Sequence, residues 1–214
     1  MATSKPLVIG VLGGIASGKS YVSQRFAEQG AVVLDADRAG HQTLAEPTIQ
    51  NILRRRWGDR VFNDDGTVDR KAVAAIVFAP QGADELTFLE QTTHPRIGER
   101  LQQQIDQLAD QANGEAPAAL VLDAPVMLKA GWDRLCDYLV FVDAPPNVRL
   151  ARALQRGWTA EEFSRRELTQ ESTGTKRERA DYVIDNGGSE QHTQQQVIDF
   201  WRRHVAPSPS PHQP

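Results

Sequence analysis

The sequence carries a single cysteine, Cys136, among 214 residues. One thiol closes no internal disulfide and builds no cysteine-rich zinc site. Packing as a small apolar residue at the mouth of a strand is the preferred reading for it, ahead of service as a nucleophile. Long apolar runs are missing too. The first, residues 6–12, is seven residues long and follows the lone charge of Lys5. That is too short for the core and cleavage region of a signal peptide, and no run nears the roughly 20 residues of a membrane span. Nor is positive charge in excess, with 24 Lys and Arg against 28 Asp and Glu for a net charge of −4. Such a balance provides no global attraction to nucleic acid or anionic membrane, so a phosphate site must be local. His41, His94, His192, His204 and His212 show no metal-ligand spacing, and no solenoid-type repeat is present. These absences lead us to expect a cytoplasmic protein with neither a nucleic-acid nor a membrane partner; a monomer is the default expectation, and no residue pattern fixes the oligomeric state. The length suits one core with small inserted lobes.

What is present is an apolar run, a glycine-rich turn and a lysine. "PLVIGVL" (Pro6 to Leu12) is apolar and rich in β-branched residues, as in a strand buried on both faces. "KSYVSQRFAEQG" then reads as a helix with Val22, Phe26 and Ala27 on one face and Gly30 as its stop. Four further apolar runs end in acid: "AVVLDAD", "AALVLDAP", "DYLVFVDAP" and "DYVIDN". Helical stretches separate them, which predicts an α/β fold, a three-layer sandwich around a five-stranded parallel sheet. Two segments break the rhythm. From about Arg38 to Leu108 no core strand is evident, and a mostly helical insertion is expected. Residues 156–181 are crowded with charge and read either as a solvated helical hairpin or as a mobile basic cover over a polyphosphate. "PSPSPHQP" after the last helix is expected to be a disordered tail, residues 207–214.

Between the first strand and the first helix, Gly13, Gly14, Ile15, Ala16, Ser17, Gly18, Lys19 and Ser20 satisfy G-x-x-x-x-G-K-[ST]. Glycines let successive N–H groups turn inward and leave room for phosphate oxygens. The helix start adds unpaired N–H groups and a positive dipole end. Lys19 is placed to reach the β- and γ-phosphates, and the Ser20 hydroxyl to ligate Mg²⁺. The pattern predicts a nucleoside triphosphate site. A guanine-reading N-K-x-D is missing, since the fifth run ends in "VIDNGG", and the third run ends in "LDAPV" without a D-x-x-G. A small kinase remains the best reading, with a slow, switch-like ATPase as the rival from another class. Asp35 and Asp37 follow the second strand. A carboxylate there either orients and deprotonates an acceptor hydroxyl or caps the next helix, as Asp37 before "RAGHQTL" suggests. Asp123, at the end of the third strand, either holds a metal-bound water or caps a turn. His94, before Pro95, is read as a structural polar residue.

In order and spacing, "GGIASGKS", "LDADR", "DDGTVDRKAVAAIVF", "THPRI", "LDAPVMLKAGW", "FVDAP", "RALQRGW" and "KRERADYVIDNGG" resemble dephospho-coenzyme A kinases over residues 8–188. The glycine-rich loop is shared with many proteins; the other elements together are far more specific. The resemblance implies a kinase that transfers the γ-phosphate of ATP to the 3′-hydroxyl of dephospho-CoA, with a core (about 6–37, 109–150 and 179–206), a helical acceptor lobe (about 38–108) and a helical lid (about 151–178). The closest alternative is a kinase of another small acceptor, such as a nucleoside monophosphate.

By the same resemblance Asp37 is the base or orienting group, with Asp35 and His94 beside the acceptor. Ala16 to Ser20 wrap the triphosphate, with Gly13, Gly14, Ile15 and Tyr21 flanking. Arg152 and Arg156 reach ATP as the lid closes, and one of them stacks on adenine. Lys176 adds charge at the lid's return, and Asn186 and Gly187 lie near the adenine. Ser20, with Asp123 through water, holds the Mg²⁺. Asp65, Gly66, Asp69, Arg70 and Phe78 shape the acceptor lobe, Phe78 by packing in its core. Three positions depart from the family's usual pattern: Lys129 stands where an acid is common, Tyr21 where a second hydroxyl is common, and Gly157 where a lid-hinge carboxylate is frequent.

Overall fold

β1 (Leu7–Gly13) occupies the middle of the sheet, and all of it but Leu7 is buried. It pairs in parallel with β3 (Ala119–Asp123) on one side and β4 (Tyr138–Asp143) on the other. The sheet is completed by β2 (Val32–Leu34) on β3 and β5 (Tyr182–Asp185) on β4, giving the order β2-β3-β1-β4-β5. The chain therefore leaves β1 toward one edge and later crosses to the other. Such a reversal opens a crevice at the C-terminal end of the central strand, which is where the glycine-rich loop lies. The computed structural model describes residues 5–110 and 116–206; the expected disordered tail at 207–214 lies outside them.

Two aspartates fasten strand beginnings across the sheet. The Asp137 carboxylate accepts from the Val8 N–H, and that of Asp181 from the Leu139 N–H, each at 2.7 Å. One core face is closed by α1 (Lys19–Glu28) and α9 (Glu190–His204), which contribute Val22, Phe26, Val197, Phe200 and Trp201. Phe200 has no exposed surface and meets the rings of Phe26, Tyr138 and Tyr182 edge-on at 5.2–5.8 Å. Phe200→Ala is expected to cost about 3–5 kcal/mol, since the site is walled by rings that relax little. Urea unfolding checks this; a loss under about 1 kcal/mol would mean that the cluster collapses readily.

The chain forms two compact units, one of residues up to Leu34 and from Gln104 on, the other Asp35–Gln103. The second is helical as expected, with α2 (Ala36–Leu44), α3 (Pro47–Trp57), α4 (Arg70–Val77) and most of α5 (Ala83–Ala109). Its core gathers Ile49, Leu53, Trp57, Val61, Val73 and Val77. "DDGTVD" serves local architecture there. Asp65 Oδ1 accepts from the Thr67 N–H at 2.9 Å, Gly66 takes φ 79°, and Asp69 caps α4 through the N–H groups of Lys71 and Ala72.

The core role expected of Phe78 is not seen: the ring is 73% exposed. Val73 and Val77, four apart, already form the buried stripe of α4. The residue after Val77 is turned about 100° around the helix axis and leaves that face.

Three helices near the loop complete the first unit: α6 (Pro146–Gln155), α7 (Ala160–Leu168) and α8 (Thr173–Glu178). Ile15 and Ala16 of the loop join Ala153 and Phe163 in a small apolar cluster. Gly157, at φ 83°, makes the turn between α6 and α7. Glycine takes that left-handed conformation without steric cost.

Candidate functional site: a phosphate-binding loop and its surroundings

The loop is held open from below. A side chain on Gly13 would collide with Ser17 Oγ at 2.5 Å and with the Val142 carbonyl at 2.9 Å. On Gly18, at φ 96°, a Cβ would fall 2.1 Å from Asn186 Nδ2. Ala16 takes φ 58°, the only non-glycine residue with positive φ among the described residues. Strain of this kind persists where surrounding structure enforces it. Gly18 sits at the N-cap of α1 and no side chain caps that helix. Its first N–H groups are therefore left for an anion.

Buried polar groups point the same way. Ser17 is 1% exposed, yet its Oγ has no hydrogen-bond partner. Lys19 Nζ lies 3.5 Å from the Gly14 carbonyl. Burial pulls the Lys19 pKa below the usual lysine range, Asp123 opposes that, and Arg156 reinforces it. Ser20 Oγ and Ser23 Oγ both stand 3.4 Å from Asp123 Oδ2. The sequence offered Ser20 and Asp123; Ser23 enters because it lies one helical turn beyond Ser20.

Arg152 donates to the Ser17 carbonyl at 3.1 Å and to the Asn186 carbonyl at 2.8 Å. Asn186 Nδ2 donates to the same Ser17 carbonyl at 2.7 Å, while its Oδ1 accepts from Thr193 at 3.0 Å. Both residues thus brace the loop. With Gly18, Tyr21, Arg156 and Glu190 they line a cavity of about 180 Å³. Gly187 backs onto Pro145, where a Cβ would come within 2.5 Å. A larger cavity of about 450 Å³ opens between Gly14, Asp143, Arg149 and Thr173.

A geometry made for a nucleoside triphosphate leaves the acceptor open, and comparison with known proteins narrows it. A protein-family model described as dephospho-CoA kinase matches residues 7–192. The chain belongs to the dephospho-CoA kinase family. A dephospho-CoA kinase of Symbiobacterium thermophilum is 40% identical over 91% of this chain and 80% of its own length. That of Moorella thermoacetica is 38% identical over 95% and 96%. Among solved structures, a protein of Thermus thermophilus superposes with a TM-score of 0.75 at 28% identity, covering 94% of this chain and 99% of its own.

Of the other residues singled out in this kinase's sequence, Asp35, Asp37 and His94 fall in the second unit, Lys129 and Cys136 in the first. Asp35 caps α2, accepting from the Arg38 N–H at 2.8 Å. The capping reading of "DAD" therefore goes to Asp35, and Asp37 lies exposed inside the first turn of α2. "AVVLDAD" holds only three strand residues, because the helix already begins at Ala36. His94 is half-buried in α5, and Lys129 is exposed after β3. Cys136 is mostly buried, with Sγ 3.8 Å from the Trp132 carbonyl, and burial with Asp133 and Asp137 nearby pushes its thiol up to about 12. It is inert at neutral pH, as its packing role requires.

Sequence reasoning missed Arg149. It is 5% exposed, donates to the Ala144 carbonyl at 3.2 Å and forms an ion pair with Glu167. The available signal was its position three residues before Arg152 on one face of α6. Lys176, assigned only a vague charge, proves to be buried at 2% exposure. A solvated hairpin is thus an incomplete description of the charged segment.

Proposed function

We propose that this protein transfers the γ-phosphoryl group of ATP to the ribose 3′-hydroxyl of dephospho-CoA, giving CoA and ADP in the final step of CoA biosynthesis. The observation that carries the reading is the loop itself: an uncapped helix start, a buried Ser17 hydroxyl without a partner and a half-buried Lys19 lie together in one loop. Family membership supports the acceptor. A bond forms between the 3′-oxygen and phosphorus, the bond from phosphorus to the β–γ bridging oxygen breaks, and the hydroxyl proton passes to Asp37. Asp37 is the third residue after Leu34, the last of β2.

Lys19 and the loop N–H groups take the charge of the transferring group. Arg152 and Arg156, with Asn186 and Tyr21, border the space for adenine, and Arg156 is free enough of the core to stack on the ring. A Mg²⁺ accompanying the nucleotide fits the oxygen donors Ser20 and, through water, Asp123, and supplies charge neutralisation on the phosphates. Asp35, His94 and the helical unit serve the acceptor. We place the protein in the cytoplasm as a monomer; among the described residues no helix is long and apolar enough to cross a membrane.

Mass spectrometry after incubation with Mg-ATP and dephospho-CoA, AMP or no acceptor tests this reading. A product heavier by one phosphoryl group from dephospho-CoA alone is expected. Conversion of AMP to ADP, or release of phosphate without an acceptor at the same rate, would reject the acceptor assignment. In the same assay Arg152→Ala is expected to raise the KM for ATP about tenfold or more, since a charged donor bonding two carbonyls of the nucleotide site is lost. An unchanged KM would remove Arg152 from the nucleotide site.

A further inference from the structure

Lys176 is at odds with the ordinary rules for a buried cation. Its side chain comes from α8 and is 2% exposed, so water does not solvate the ammonium. Its hydrogen bonds among the described residues go to neutral oxygens, Gln170 Oε1 at 2.9 Å and the Gly13 carbonyl at 3.5 Å. The neighbouring carboxylate of Glu167 is taken by Arg149. Buried ammonium groups are normally matched by a carboxylate, because neutral acceptors offset desolvation only in part. Here the opposite has been built: Lys19 and Arg149 crowd the ammonium with like charge, while Glu171 and Glu167 counter them only in part. Burial and this repulsion together pull the Lys176 pKa down to about 8. The arrangement is unfavourable in the free protein and turns favourable once an anion arrives between the two lysines.

The position of the ammonium defines that anion. It touches the carbonyl of Gly13, while Lys19 Nζ, reaching back from the start of α1, stands 3.5 Å from the next carbonyl, that of Gly14. Gln170, which holds it, lines a cavity of about 270 Å³ together with Gly14 and Ile15. The anion that two ammonium groups and the start of α1 meet together is the multiply charged phosphate chain that such a loop cradles.

We propose that Lys176 is a second donor-phosphate lysine, carried to the loop by α8 and oriented by Gln170, and that it shares with Lys19 the phosphates at the Gly13–Gly14 turn of the loop. The proposal rests on the ATP reading above but not on the acceptor. It also accounts for the charged segment, because the phosphate site is complete only while α7 and α8 are docked.

The decisive comparison is Lys176→Met, read by calorimetric ATP binding without acceptor and by thermal melting. Replacing a buried, poorly compensated charge by an apolar chain of similar length is neutral or stabilising, so the melting temperature should hold or rise. ATP affinity should fall about tenfold or more, and kcat/KM by about 10²-fold. A merely structural lysine would do the reverse, lowering the melting temperature and sparing ATP affinity, and that result overturns the proposal.

Lys176→Arg supplies a second test that survives a folding failure of the methionine variant. ATP needs the protonated ammonium, so wild-type affinity should decline as pH rises from 7 to 9.5, through the free-state value of about 8. Arginine keeps its charge, so its profile should be flatter than that of wild type. Identical slopes would refute the assignment. Wild-type protein that fails to bind ATP at all would sink the nucleotide reading itself, whereas wild-type binding with unaltered variants sinks only the role of Lys176.

Discussion

Lys19→Ala is expected to lower turnover by about 10²–10³-fold while the protein stays folded, the usual cost of deleting one preorganised charge donor to a transition state. The size follows from the setting. Lys19 is half-buried, its pKa is pulled down by desolvation, and the Asp123 carboxylate supports its charge only in part. Water cannot easily replace it, and the loop N–H groups remain but carry no net charge. Steady-state kinetics with saturating ATP, paired with a melting curve, checks the result. More than a tenth of wild-type turnover would exclude Lys19 from stabilising the transferring phosphate. Because Lys19 and Lys176 flank one site, their effects should not add: the double variant should lose less than the product of the two single losses.

Asp37→Asn carries the second large effect, a loss of about 10²–10⁴ in kcat, the range general-base catalysis contributes. The structure makes this test clean, because the two acids of "DAD" have separated. Asp35 accepts from the Arg38 N–H and anchors α2, whereas among the described residues none donates to the Asp37 carboxylate. Asp35→Ala should therefore cost about 1 kcal/mol of stability as a lost cap. Asp37→Asn should cost almost none, while removing the proton acceptor. Stability and rate thus report on different residues two positions apart. If Asp35→Ala proves the slower enzyme and Asp37→Asn turns over near wild type, the assignments must be exchanged.

Much of this was legible in the residues. A buried parallel strand must be apolar on both faces, so its run is unmistakable, and all five strands were found within a residue or so apart from β2. In β2 the acid-rich end proved to be a helix start, because Asp35 can bond the N–H three residues on. The loop was equally plain, since glycine, lysine and serine at fixed spacing leave few other uses. Acceptor-lobe motifs such as "DDGTVDR" identified the family, yet their atoms serve a turn and a cap. Motif specificity and chemical role are therefore separate matters.

Phe78 shows the limit of apolar patterning. Its neighbours form the stripe, and nothing local says that the helix ends with this ring facing outward.

What the sequence determined alone was whatever depends on residues close in the chain: strand runs, the loop, helix caps and the order of motifs. Only the tertiary structure decided which charges lose their water. Arg149, Lys176 and Asn186 look like ordinary polar residues in their own segments. Their burial arises where α6, α8 and the end of β5 meet a loop more than 120 positions earlier in the chain. Desolvation is a property of that meeting. It turns a residue that reads as ordinary surface in its own segment into one that needs a partner from elsewhere in the fold.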